Sequence, residues 1–156
     1  MPNKPVYNIR AADQEDLVDC VDLLRKFSSE SGTTELLGFD EDVVFWRLQQ
    51  ALDNPDYFIN VLTVDDSVEG ICAGFTVQSI TSTTVQASEI SWYVNEKHRG
   101  SSYSIRLMKR LEEWAKSKGA KCLSMISLER LNPELSESIY EKLGYVKTET
   151  TFVKVI

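Results

Sequence analysis

The chain has 156 residues and a net charge of −7, with 42% hydrophobic and 26% charged residues. This is the composition of a globular chain with a core of its own, and its acidity excludes the basic footprint that general nucleic-acid binding needs. No apolar run approaches the roughly 18 residues that span a membrane, and the opening MPNKPVYNIR has no apolar signal core, so no membrane association and residence in the cytoplasm are the expectations.

In chain order, Val6 to Arg10 reads as a first strand. Asp13 is placed to cap a helix whose first turn carries Glu15 and Asp16, and Leu17, Val21, Leu24 and Phe27 follow at helical spacing. Ser28 to Gly38 is polar and turn-rich and is expected to loop. A second helix starts near Asp40 or Glu41, with Val44, Leu48 and Leu52 on one face, and ends before Asn54-Pro55. Tyr57 to Val64 and Val68 to Gln78 are β-rich and separated by Asp65-Asp66-Ser67, which predicts a hairpin. Val85 to Val94 is a third strand of this meander. Strict alternation puts Glu89, Ser91 and Tyr93 on one of its faces and Ile90, Trp92 and Val94 on the other.

The clearest helix follows the loop after Val94. Leu107, Met108, Leu111, Trp114 and Ala115 form its apolar stripe, and Gly119 is placed to end it. Cys122 to Ile126 reads as a short buried strand, so strand, helix and strand make a parallel crossover in a mixed sheet. Asn132-Pro133 starts a last helix with Leu135, Ile139 and Leu143 on one face and Gly144 at its end. Tyr145 to Ile156 alternates loosely and predicts one or two final strands. No linker or repeat divides the chain, so residues 1–156 are expected to form one domain.

Cys20, Cys72 and Cys122 sit among apolar residues and are expected to be buried and reduced. With a single histidine, His98, which reads as an exposed, incidental residue, they are too few and too scattered for a zinc site, so no metal is expected.

The chemistry concentrates at Arg99-Gly100-Ser101-Ser102-Tyr103-Ser104. A helix N-terminus offers unpaired N–H groups and a positive dipole end, and small side chains let an anion come close. Those residues fit a phosphate cradle or an ordinary helix start equally well. The same segment resembles the acyl-CoA signature of the GNAT N-acetyltransferase superfamily, Arg/Gln-x-x-Gly-x-Gly/Ala, with serine at Ser102 and Ser104 where the family has a small glycine or alanine. The segment NPELSESIYEKLGY, Asn132 to Tyr145, resembles a second family segment about thirty residues on.

That resemblance implies an α/β GNAT fold, a mixed central sheet of six to seven strands flanked by about four helices. It implies acetyl-CoA as co-substrate and a small-molecule or protein amine as acceptor. Arg99, Gly100, Ser101, Ser102, Tyr103 and Ser104 would hold the pyrophosphate. Backbone near Trp92 and Val94, with Asn132, would meet the pantetheine arm. Tyr140 would serve the leaving sulfur and Glu89 would act as base through water, with Glu96 a weaker choice. The C-terminal strands would offer a homodimer contact. The two serines leave a second reading open, a GNAT-like domain kept for CoA binding or protein interaction. Glu35, Asp40, Glu41 and Asp42 would suit a cationic acceptor or simply a solvated face.

Overall fold

The computed structural model describes residues 3–156. Strand β1, Tyr7–Ala11, leads into helix α1, Leu17–Glu30, through a single 3-10 turn. The junction is fixed by a capping box: the Asp13 carboxylate accepts from the Glu15 amide, and the Asp16 carboxylate accepts from the Asp13 amide, each at 2.9 Å. Arg10 donates to both Asp16 oxygens at 2.6 and 2.8 Å, which holds strand and helix together.

The polar stretch after α1 does not simply loop. Helix α1 continues to Glu30, and after the left-handed Gly32 a short helix α2 covers Thr33–Leu37. Its hydroxyls bond one another, Thr34 to Ser28 and Ser31 to Thr33, both at 2.9 Å. Local side-chain bonds support these turns where an apolar stripe is missing, so periodicity did not reveal them. Helix α3, Glu41–Leu52, begins at Asp40, whose carboxylate accepts from the Val43 amide at 3.1 Å.

Strands β2, Tyr57–Val64, and β3, Ser67–Gln78, form the expected hairpin, turned by Asp65 and Asp66 at φ 49° and 68°. Strand β4, Val85–Val94, pairs antiparallel with β3, and helix α4, Ser102–Ser117, crosses over to β5, Leu123–Ser124, which runs parallel to β4. Helix α5 is Pro133–Lys142. The sheet order is β1-β2-β3-β4-β5.

Two cores lie on opposite faces of this sheet. Helices α1 and α3 pack Leu17, Cys20, Leu23 and Leu48 against Val61, Ile71, Ala73 and Tyr93. Helix α4 packs Leu107 and Leu111 against Phe58, Leu62, Cys72 and Val94.

The mixed α/β architecture agrees with the sequence reading, and several details correct it. Five strands and five helices occur among the described residues, not six to seven strands and about four helices. Residues 145–156 form no strand, and Val146, Phe152, Val153, Val155 and Ile156 are exposed, because no ladder partner meets them. The strand expected over Cys122 to Ile126 makes ladder pairs only at Leu123 and Ser124. Cys122 is exposed there, whereas Cys20 and Cys72 are buried. On α5, Leu135 faces solvent and Tyr140 is the buried residue.

One irregularity decides where the site faces. The β3–β4 register shifts between Ala73 and Gly74: Cys72 pairs with Trp92, Ala73 with Ser91 and Gly74 with Glu89, so Ile90 is skipped. Such a bulge flips the alternation. Glu89 therefore shares a face with Trp92 and Cys72, under α4 and α5, while Ser91 and Tyr93 face α1. The single-face grouping of Glu89, Ser91 and Tyr93 is corrected accordingly. Gly74 is required at this point: a Cβ there would lie 2.6 Å from Leu111 Cδ1 and 2.8 Å from the Ser88 carbonyl oxygen.

Candidate active site

Glu89 projects from the bulge into the space where β4 and β5 part. It is 5% exposed, and its Oε2 accepts from the Ile126 amide at 2.9 Å. This carboxylate occupies the amide that a continuing β5 ladder would use, which accounts for the short strand. Burial pushes the Glu89 pKa up to about 7, and hydrogen bonds from the Ile126 and Trp92 backbone offset part of that rise.

Tyr140 reaches the same place from α5. It is 8% exposed, and its hydroxyl donates to the Ile126 carbonyl at 2.9 Å. Burial raises its pKa first, and the nearby Glu89 charge adds to the rise, so the phenol keeps its proton. Its ring lies 6.1 Å from Trp92 and 5.7 Å from Tyr145. A carboxylate and a phenol thus converge on the backbone of one residue, Ile126. Among the described residues, the buried hydroxyls without a hydrogen-bond partner are Ser91 and Ser127. Ser127 directly follows Ile126 in the chain.

The loop from Asn95 to Ser101 forms the second part. Helix α4 begins at Ser102, with Ser101 extended before it. The amides of Gly100, Ser102 and Tyr103 have no hydrogen-bond partner among the described residues, and a Cβ placed on Gly100 would meet nothing beyond its chain neighbours within 4 Å. Ser102 and Ser104 lie in the first helical turn, and neither has a positive φ. Serine therefore carries no backbone strain where the family has glycine. Ser104 is buried, and its carbonyl accepts from the Trp92 indole at 3.0 Å. Tyr103 stacks on Tyr7 with ring centroids 4.4 Å apart, and the Arg106 guanidinium lies 4.9 Å from the Tyr103 ring.

Arg99 does not point freely outward. Its Nε donates to the Val94 carbonyl at 2.7 Å, its Nη2 donates to Glu30 at 2.8 Å, and it lies 5.0 Å from the Tyr93 ring centroid. Val94 thus spends on Arg99 a carbonyl that the resemblance offers to pantetheine. Asn132 is a left-handed cap whose side chain accepts from the Leu135 amide at 3.3 Å. His98 is not an exposed bystander: its ring packs edge-on to Tyr7, with Nδ1 3.3 Å from the Tyr7 hydroxyl and Nε2 3.9 Å from Glu69.

Glu69, on β3, also receives Asn95 Nδ2 at 2.6 Å and Lys97 Nζ at 2.9 Å. Burial works to raise its pKa, but the hydrogen bonds from Lys97 and Asn95 outweigh it and hold Glu69 below the usual carboxylate range. Glu30, Glu69 and Tyr93 thus organise the loop, and sequence reading missed all three. Glu30 and Glu69 lie 69 and 26 residues from their partners Arg99 and Asn95, and no local pattern marks them.

On the α1 face, a cleft of about 540 Å³ is lined by Arg25, Lys26, Ser29, Glu30, Thr34, Phe39 and Glu41. The acidic cluster beside it is largely engaged: Glu35 pairs with Arg130, Asp40 caps α3, and Glu41 pairs with Arg25. Among the described residues no group of side chains could hold a metal ion, and no helix is long and apolar enough to cross a membrane.

A sequence model of the acetyltransferase (GNAT) family matches residues 19–145. No curated protein sequence gives a significant match. Solved structures with a similar fold include aminoglycoside 6'-N-acetyltransferase from Acinetobacter haemolyticus, at 22% identity and TM-score 0.72 over 96% of this chain and 99% of that one. Glucosamine-6-phosphate N-acetyltransferase from Arabidopsis thaliana aligns at 14% identity and TM-score 0.76, over 96% and 97%. Ribosomal-protein-alanine N-acetyltransferase from Brucella melitensis aligns at 15% identity and TM-score 0.69, over 96% and 98%.

Proposed function

This chain belongs to the GNAT acetyltransferase family, and we propose that it moves an acetyl group from acetyl-CoA to a primary amine by direct attack in a ternary complex. The observation that carries this reading is the convergence of Glu89 and Tyr140 on Ile126. The acceptors named for similar folds, an aminoglycoside, glucosamine-6-phosphate and a ribosomal-protein alanine, share an amine and little else, so the acceptor class here is stated as a primary amine.

The residues present fit the co-substrate. The open amides of Gly100, Ser102 and Tyr103, with the hydroxyl of Ser102, would hold the pyrophosphate at the start of α4, while the Ser101 hydroxyl donates to the His98 carbonyl at 2.8 Å. The opening between β4 and β5 beyond the last ladder pair, Ser88 with Ser124, would take the amide-rich arm. Acetyl-CoA supplies the activated thioester.

This chain's own groups handle the protons. A lysine-like amine has a pKa near ~10.4 and arrives as an ammonium. Glu89, with its pKa near 7, is ionised enough at neutral pH to accept that proton through water. The freed lone pair then forms the C–N bond as the C–S bond breaks. Tyr140, which its raised pKa keeps protonated, passes its proton to the leaving sulfur as it takes up the second proton shed by the new amide nitrogen, so the phenol is restored. Its hydroxyl turns from the Ile126 carbonyl to do so.

A panel of primary amines, assayed for acetyl-CoA-dependent thiol release, tests this reading. Release with at least one amine, lost in Tyr140→Phe, is expected. Acetyl-CoA binding without turnover on any amine would instead favour a CoA-binding or interaction module.

A further inference from the structure

We propose that Glu30 is a positioning residue for the acyl-donor loop, acting through Arg99; the proposal rests on the acetyltransferase reading above. Arg99 is the one signature residue with a fixed charge, and on sequence grounds it should reach a phosphate. The structure gives it another task. Four groups close a ring of contacts. Tyr93 donates its hydroxyl to one Glu30 oxygen at 2.7 Å, Arg99 Nη2 donates to the other at 2.8 Å, Arg99 Nε donates to the Val94 carbonyl at 2.7 Å, and the Arg99 guanidinium lies 5.0 Å from the Tyr93 ring.

An isolated surface ion pair would contribute little. This one is different because the guanidinium is held at two nitrogens and stacked, a geometry that lysine cannot copy. Glu30 ends α1, Tyr93 and Val94 end β4, and Arg99 immediately precedes Gly100. The contacts therefore fix the chain just before the open amides of Gly100, Ser102 and Tyr103. Glu69 holds the other end of the same loop through Asn95 and Lys97.

Charge gives a second reason. A free carboxylate near an anion cradle would repel the donor. Glu30 is tolerable there because both of its oxygens are engaged, one by a cation. The cradle is then preformed, and the donor does not bear the cost of ordering Arg99 and the loop on binding. Glu30 also lines the cleft on the α1 face, so the residue that steadies the donor loop forms part of the wall of the neighbouring cleft.

The test measures the acetyl-CoA dissociation constant by calorimetry, and KM and kcat with a working amine, for the wild type, Glu30→Gln and Tyr93→Phe. Melting of each ligand-free protein is followed alongside. Glu30→Gln is expected to weaken acetyl-CoA binding and raise its KM by about fivefold, with kcat changed less than about twofold, the size set by one long side chain that must be reordered. Tyr93→Phe removes a single hydroxyl, keeps the fold measurable if Glu30→Gln does not, and is expected to give about twofold in the same direction. A lower melting temperature with unchanged acetyl-CoA affinity overturns the proposal, since that is a purely structural role. Tighter binding overturns it as well, because Arg99 would then be withheld from phosphate by Glu30. If the wild type binds no acetyl-CoA, the transferase reading falls and takes this inference with it; wild-type binding with unaltered variants defeats the inference alone.

Discussion

The two ends of the site are built by opposite means. At the β4–β5 junction, Glu89 and Tyr140 are buried and held by the backbone of Ile126, and among the described residues no cation pairs with Glu89. At the loop before α4, Glu30 and Glu69 are each paired with a cation, Arg99 or Lys97, with Glu30 exposed and Glu69 buried. Burial without a countercharge raises a carboxylate pKa, whereas a partner cation lowers it, and the contrast between Glu89 near 7 and Glu69 below its usual range follows. The first end is suited to moving protons at neutral pH. The second is suited to holding a loop still.

This contrast can be broken from either side. The largest effect is expected at the buried end. Tyr140→Phe removes only the hydroxyl, and kcat should fall about 100-fold with donor KM nearly unchanged, the usual scale for loss of one acid-base group. A steady-state assay with saturating acetyl-CoA checks it, and unchanged kcat would remove Tyr140 from the reaction. Next comes the support of that end. In Gly74→Ala the new methyl meets Leu111 and the Ser88 carbonyl, which must move apart. A loss of about 2 kcal/mol is expected by denaturant unfolding, together with lower kcat as Glu89 shifts opposite it. The smallest effect belongs to the loop. Glu69→Gln leaves Lys97 without its carboxylate and should raise the acetyl-CoA KM about threefold, with kcat unchanged. If Glu69→Gln lowered kcat and spared KM, the division between the two ends would be misdrawn.

How much of this was legible in the sequence also differs between the ends. The strands, the α4 stripe, the Asn132-Pro133 start and the Asp13 cap all follow from local rules, because each depends on neighbours within a few residues. Glu89 and Tyr140 were singled out through the family resemblance. Their meeting at Ile126 was not legible, since it needs a bulge that skips Ile90 and reverses the strand's alternation. The polar turns at 28–38 concealed α2, because hydroxyl-to-hydroxyl bonds stand where an apolar stripe would. Tyr145 to Ile156 shows the reverse error. Its alternation is strand-like, but a strand exists only where a partner edge receives it, and local pattern cannot supply one.

The most direct test of the account is the pH dependence of kcat for acetyl transfer, wild type against Glu89→Gln. A base must be ionised to accept a proton, so lowering the pH through the raised Glu89 pKa should switch it off. The wild-type kcat is predicted to rise with pH through an apparent pKa near 7. Glu89→Gln should lose that limb and run about 100-fold slower. A Glu89→Gln enzyme that keeps both the wild-type rate and the limb near pH 7 would contradict the account.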